Sequence, residues 1–322
     1  MTVAVIGAGA FGTAMAVALA KTIDDVSLYT RSAGQKYQLL NTKYNNKYLY
    51  NIRIPNNINV TNDLGSACEK KKVALLCIPA QQTRKFCTDN ADILQKLPIA
   101  VCSKGIDYNT SQLQTDILST IKPLYPISVL TGPSFAIEIA KGLPTALTLA
   151  CQQERIATQL QKLISTNTIR IYTCLDTTGA QVGGALKNCI AIACGVVQGL
   201  ELGESAKIAL MTRGFAEMRR MGIALGGKPE TFFGLSGLGD LTLTCNSNLS
   251  RNLRLGLNLA QNKPTETVTC EGIKTTFAAL RLGNNLGLDL PIINSVRKIL
   301  NKKGTIEEII NDLLSRPLKR EL

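Results

Sequence analysis

Val3-Ala4-Val5-Ile6-Gly7-Ala8-Gly9-Ala10-Phe11-Gly12 runs directly into Thr13-Ala14-Met15-Ala16-Val17-Ala18-Leu19-Ala20, and the reading of this stretch decides the fold. A short apolar strand, Val3 to Ile6, enters a turn with glycines at 7, 9 and 12, and an uncharged helix is predicted from Thr13 to Ala20. Each glycine has a separate physical task. The first permits the tight turn, the second lets backbone N–H groups approach phosphates, and the third brings the helix close to the strand. The positive end of the helix then faces an anion, which puts a nucleotide's pyrophosphate at Gly9. A second strand, Val26 to Thr30, supplies the context that this spacing requires. It ends in Arg31, where an acidic residue would bind a ribose 2′-hydroxyl; an arginine suits a 2′-phosphate, so NADPH is expected to be accepted, the alternative being a solvated surface arginine.

Working outward, the same stretch admits a competing reading. Val3 to Ala20 carries no charge and has the small residues of a leader or membrane anchor. Against that stand the three interrupting glycines and the lack of a preceding basic residue. No later run reads as long enough to span a bilayer, the best being Cys189 to Val197, so a cytoplasmic protein is expected. Lysine and arginine number 36 against 23 acidic residues, a net charge of +13. That excess is compatible with nucleic acid, an acidic membrane or small anions. Lys36 to Arg53 interleaves basic residues with Tyr37, Tyr44, Tyr48 and Tyr50, but no nucleic-acid motif accompanies it, and no nucleic-acid partner is expected. The ten cysteines form no C-x-x-C pair, and histidine is absent. The commonest metal ligand and the usual general base are therefore both missing, so no metal is expected and another group must move protons.

Beyond the opening unit, strand-like runs alternate with helical ones: Val73 to Ile78, Ile99 to Cys102, Ile127 to Leu130, Thr145 to Ala150 and Ile169 to Tyr172. After Gly179 the strand signals stop and long Ala/Leu/Ile-rich helical patterns follow. The reading is an α/β, Rossmann-like doubly wound domain with a parallel sheet over 1–178, then an all-α domain over 179–322. Ligands of such sheets lie beyond the carboxyl ends of the strands. Those ends carry Ile78-Pro79-Ala80-Gln81, Ser103-Lys104-Gly105 and Thr131-Gly132-Pro133-Ser134-Phe135-Ala136. Lys104 offers a charge, and Gly132 and Ser134, read as a helix start, offer backbone donors.

The helical half adds Gly183-Gly184-Ala185-Leu186-Lys187-Asn188, read as the head of an apolar helix. Lys187 is the only charge between Thr177 and Leu200. It either snorkels from the helix end or is buried, and burial or a neighbouring Lys104 would lower its pKa toward that of a working acid or base. Asp240, in Gly237-Leu238-Gly239-Asp240, would orient it and oppose that shift. Ser250-Arg251-Asn252 joins a capping hydroxyl, a guanidinium and an amide, a set suited to a phosphate, although an ordinary N-cap with a solvated arginine accounts for the tripeptide taken alone.

With these motifs in order, the chain resembles the NAD(P)-dependent glycerol-3-phosphate dehydrogenases of the prokaryotic type. Further matching segments are Asn46-Lys47-Tyr48-Leu49 through Ile54-Pro55, Thr212-Arg213-Gly214 with Glu217, Thr244-Cys245 and Glu271-Gly272. The resemblance implies hydride transfer between the nicotinamide of NAD or NADP and C2 of dihydroxyacetone phosphate, giving sn-glycerol 3-phosphate for phospholipid synthesis. It implies Lys187 as proton donor and acceptor, Lys104 in contact with substrate and cofactor, and Gly132, Ser134, Asp240, Ser250, Arg251 and Asn252 around the substrate. Ala10, Phe11, Arg31, Ala136, Arg251, Thr269 and Glu271 fall at its cofactor positions. The chain departs from the pattern in Cys270, in a short segment between Asn252 and Glu271, and in Gly203-Glu204-Ser205-Ala206. Two alternatives are another two-domain reductase of a hydroxyacid or phosphosugar, and a nucleotide sensor without turnover. A homodimer is left open.

Overall fold

The computed structural model describes residues 2–264 and 270–317. The first half contains ten strands: β1 (Thr2–Ile6), β2 (Asp25–Tyr29), β3 (Tyr44–Asn45), β4 (Leu49–Arg53), β5 (Ile58–Thr61), β6 (Val73–Leu76), β7 (Ile99–Val101), β8 (Ser128–Thr131), β9 (Thr145–Ala150) and β10 (Ile169–Cys174). Eight form one sheet in the order β10-β9-β8-β7-β6-β1-β2-β5, and β3 and β4 pair in a separate hairpin. Between the strands lie α1 (Ala10–Leu19), α2 (Ala33–Thr42), α3 (Leu64–Cys68), α4 (Thr83–Asp89), α5 (Ala91–Leu94), α6 (Gln114–Ser119), α7 (Ala136–Lys141) and α8 (Glu154–Ile164). The central strands are apolar throughout, Val3 to Ile6 and Val73 to Leu76 being fully buried, as a sheet covered on both faces demands.

The parallel sheet read from the sequence is corrected at one pairing. β8 and β9 run antiparallel, with Val129 opposite Ala150 and Thr131 opposite Thr148. The remaining neighbours in the large sheet are parallel. The reversal turns the amino end of β9 toward the carboxyl end of β8. The helix expected from Thr13 instead begins at Ala10, because Gly12 is part of its first turn rather than of the loop before it. A Cβ on Gly12 would lie 1.9 Å from the carbonyl oxygen of Gly7, and Gly7 itself has φ +114°. Strand and helix can approach this closely only with glycine at both positions.

From Thr177 the described chain is helical: α9 (Thr177–Gly199), α10 (Glu204–Ala224), α11 (Asp240–Asn246), α12 (Arg251–Ala260), α13 (Glu271–Asn285), α14 (Pro291–Leu300) and α15 (Ile306–Leu314). Asp176 caps α9 by accepting the N–H of Gly179 at 2.8 Å. α9 is long and apolar enough to cross a membrane, contrary to the sequence expectation, yet its apolar window is wholly buried inside the protein. α10, α11, α12, α13 and α14 pack around it. The closest approach is to α12, where a Cβ on Gly195 would lie 2.0 Å from Leu253 O and one on Gly256 would lie 1.9 Å from Ile192 O. This central helix therefore fixes Lys187 in place by backbone packing along its length.

Candidate active site

The carboxyl end of β8 and the segment after β7 that carries Lys104 lie against the middle of α9. Lys187 lies eleven residues into that 23-residue helix, not at its head as the sequence reading had it, so it cannot snorkel from a helix end. Only 7% of its side chain is exposed. Its Nζ donates to Asp240 Oδ1 at 2.5 Å and to Thr244 Oγ1 at 2.9 Å. Lys104, three residues past β7, donates from Nζ to Asp240 Oδ2 at 2.8 Å and to Gly132 O at 2.9 Å. Asp240 is wholly buried and bridges the two lysines, one on each carboxylate oxygen. An ammonium has three N–H donors; each lysine commits two in this network and retains one for a ligand.

Local structure explains the convergence. Residues Leu235–Gly239 form a π-helical turn that leads into α11 and presents Asp240 at its first residue. Thr244 follows one turn later and donates to Asp240 O at 2.6 Å. On the other side, a Cβ on Gly184 would meet Thr131 Oγ1 at 2.8 Å, so the glycine lets α9 press against the end of β8. The Lys187 pKa is lowered from 10.5 to about 8, chiefly by burial; Asp240 raises it, and Lys104 lowers it further. Two ammoniums against one carboxylate leave a net positive charge, which favours an anionic substrate.

A second network ties the remaining segments together. Asn188 donates to Lys104 O at 3.1 Å, Asn252 donates to Asn188 Oδ1 at 2.9 Å, and Gly272 N–H donates to Asn252 Oδ1 at 3.1 Å. Ser250 caps α12 by accepting Leu253 N–H at 3.2 Å, and Arg251 is exposed at the first helical residue. Glu271 opens α13 and accepts the N–H of Ala80 at 3.0 Å, spanning the two halves of the chain; burial raises its pKa, opposed by that N–H and by Arg251. Ser134 donates to Gly132 O at 3.3 Å. The helix expected at Gly132 and Ser134 starts later, at Ala136, so Gly132, with φ +132°, belongs to the strand end. Arg31 is exposed beyond β2 and donates to Gln82 Oε1 at 3.3 Å. Thr269 lies outside the described residues.

The glycine loop suits a dinucleotide. The first-turn N–H groups of α1 have no partner within the helix, and a Cβ placed on Gly9 would meet nothing within 4 Å. Around the junction, the buried hydroxyls of Ser103, Thr131 and Thr275 have no hydrogen-bond partner, as expected of walls built to face a polar ligand. Among the described residues no group of three His, Cys, Asp or Glu side chains converges to hold a metal ion. The sequence reading did not single out Asn188 or Thr244 for a role. Thr244 had a signal, since it stands four residues after Asp240 on one helix and so shares its face.

Comparison with known proteins agrees with this geometry. Models of the NAD-dependent glycerol-3-phosphate dehydrogenase N-terminus and C-terminus match residues 2–157 and 176–311. An NAD(P)+ glycerol-3-phosphate dehydrogenase of Ruegeria sp. (strain TM1040) is 45% identical over 323 residues, covering 100% of both chains. That of Parvibaculum lavamentivorans is 42% identical, covering 99% of this chain and 98% of the relative. The crystal structure of the Coxiella burnetii glycerol-3-phosphate dehydrogenase superposes with a TM-score of 0.93 at 32% identity, over 98% of this chain and 99% of that one. This chain is therefore a member of the NAD-dependent glycerol-3-phosphate dehydrogenase family.

Proposed function

We propose that the chain interconverts dihydroxyacetone phosphate and sn-glycerol 3-phosphate with NAD(P)H, as a cytoplasmic step toward phospholipid synthesis. In this reading residues 1–178 hold the dinucleotide and 179–322 supply the substrate site. The observation that carries it is the buried Lys104–Asp240–Lys187 bridge, formed between the strand ends and the helical half.

Bound NAD(P)H supplies a hydride for C2 of the ketone. Gly7, Gly9, Ala10, Phe11 and Gly12 would hold its pyrophosphate, with Ala136, Arg251 and Glu271 along its remaining length and Arg31 at the ribose. Lys187 would hold the proton that must reach the C2 oxygen, with one N–H beyond those given to Asp240 and Thr244. Lys104 adds a second positive charge against the developing alkoxide, a stabilisation strengthened by the water-poor surroundings. Asp240 keeps Lys187 charged despite burial. Ser250, Arg251 and Asn252 would grip the phosphate, and Gly132 and Ser134 would border the three-carbon skeleton. A dimer of identical chains is compatible with this scheme.

The direct test follows NADH or NADPH oxidation with dihydroxyacetone phosphate. Turnover is expected for the parent and a loss of at least about 100-fold for Lys187→Ala, with NADH binding retained; equal rates would remove Lys187 from the mechanism. Arg31→Asp is expected to weaken NADPH use more than NADH use, and an unchanged ratio would refute the 2′-phosphate role.

A further inference from the structure

One carbonyl in the glycine loop is held from outside the loop, by two carboxamides from separate segments. Gln35 Nε2, on α2, donates to Ala8 O at 2.8 Å, and Asn45 Nδ2, on β3, donates to the same oxygen at 3.0 Å. Asn45 also donates to Thr13 Oγ1 at 2.7 Å. Neither amide is free to turn. The Thr30 hydroxyl donates to Gln35 Oε1 at 2.5 Å, leaving Nε2 for Ala8, while Asn45 and Thr13 are wholly buried.

A carbonyl oxygen has two lone pairs, and both are engaged here. A trans peptide is planar, with its C=O and N–H pointing in opposite directions. Holding Ala8 O toward Gln35 and Asn45 therefore turns the Gly9 N–H the other way, away from both amides, at a residue where even a Cβ would meet nothing within 4 Å. The Gly9 carbonyl is itself fixed, since it accepts Thr13 N–H at 3.0 Å. Without the two amides the Ala8–Gly9 peptide, which turns about Ala8 ψ and the φ of a glycine, can rotate and withdraw its N–H from the helix end.

We propose that Asn45 and Gln35 are positioning residues for the dinucleotide: they lock the Ala8–Gly9 peptide so that the Gly9 N–H joins those of the first turn of α1 as a donor to the pyrophosphate. This rests on the cofactor reading above and assigns a task to the β3–β4 hairpin, which otherwise lies outside the chemistry. The hairpin belongs to the cofactor site through a peptide it orients.

The test uses Asn45→Ala and Gln35→Met, which remove the donors and place no new charge near an anion. Dissociation constants for NADH and for ADP, which carries the diphosphate without nicotinamide, are measured by calorimetry beside urea unfolding curves and steady-state kinetics. On the order of tenfold weaker binding of both ligands is expected for Asn45→Ala. KM for NADH should rise in proportion, while kcat and KM for dihydroxyacetone phosphate stay within about twofold. Gln35→Met, at a half-buried helix position, should show the same pattern and serves if Asn45→Ala fails to fold. A lowered urea midpoint with unchanged NADH and ADP affinity would overturn the proposal by reducing the amides to structural links. If the parent binds neither ligand, the cofactor reading fails instead.

Discussion

Asp240→Asn tests the electrostatics of the site most directly, because the substitution keeps the shape of the side chain and removes the one charge that both lysines face. Lys187 and Lys104 lie 2.5 and 2.8 Å from separate oxygens of this carboxylate. With charge centres about 3.5 Å apart and an effective dielectric of about 20, each pair is worth roughly 4 to 5 kcal/mol. At 1.36 kcal/mol per pH unit, loss of the charge moves the Lys187 midpoint down by roughly three pH units, starting from about 8. At pH 7 the protonated fraction then falls from nearly complete to about one in a hundred, which alone costs reduction about 100-fold. The assay is kcat for dihydroxyacetone phosphate reduction from pH 5 to 9 at saturating NADH, with circular dichroism to confirm folding. The variant should recover much of its rate toward pH 5, where the amine is protonated again. A midpoint that stays with the parent's, or an equal deficit at pH 5.5 and pH 8, would refute the assignment of Lys187 as the proton source.

Other perturbations read different parts of the fold. In the parent, reduction should decline and glycerol 3-phosphate oxidation should rise as pH passes through about 8, since the proposed mechanism needs Lys187 charged in one direction and neutral in the other; pH-rate profiles in both directions check this. Glu217 is buried and accepts the N–H groups of Ile292 and Ile293 at 2.7 and 3.1 Å, and burial pushes its pKa from 4.5 to about 7. The folded chain thus holds this proton more tightly than the unfolded one, so its effect is a loss of stability as pH rises from about 4.5 to about 7, on the order of 3 kcal/mol. Glu217→Gln keeps an accepting oxygen and should remove that decline; the same fall in urea midpoint from pH 5 to pH 8 in parent and variant would contradict it. Gly256→Ala should force α12 away from α9, costing about 3 kcal/mol and lowering Tm by roughly 6 to 12 °C, with a raised KM for dihydroxyacetone phosphate; a Tm within about 1 °C of the parent would show that the helices have slack.

What the sequence made legible is local. The glycine loop declares itself because its three tasks depend on neighbours within six residues, and the helical half declares itself by its unbroken Ala/Leu/Ile pattern. The direction of β9 was hidden, since Thr145 to Ala150 reads the same whether it pairs parallel or antiparallel with β8, and only the path of the chain decides. The start of α1 was misplaced because a glycine at 12 looks like loop, although here it serves close contact inside the helix. Lys187 stood out as a lone charge, but its place in the middle of α9 depends on a start at Asp176, whose capping carboxylate is a local signal that the glycines at 183 and 184 obscured. Its partner Asp240 lies 53 residues away, a pairing that spacing alone does not contain. Asn45 and Gln35 were the least visible of all, because in a stretch rich in Lys, Tyr and Asn two amides look like surface.

If Lys187 is the acid, as proposed above, it is a group that is normally too basic, and the two requirements on it conflict. Burial in α9 lowers the Lys187 pKa far enough for proton exchange near neutrality, yet burial by itself would carry it toward the neutral amine. The carboxylate prevents this, but a lone carboxylate would cancel the positive charge that an alkoxide and a phosphate require. Adding Lys104 restores a net positive charge while still lowering the Lys187 pKa. The second lysine comes from the sheet and the first two members from the helical half, so the electrostatic balance exists only when the halves are in register. On the proposed mechanism Asp240 is thereby both the tuner of the acid and a latch between sheet and helices. A substitution there should accordingly loosen the alignment of the halves and, at neutral pH, silence the proposed proton donor, whereas one at Lys104 should raise the Lys187 midpoint while freeing one side of the latch.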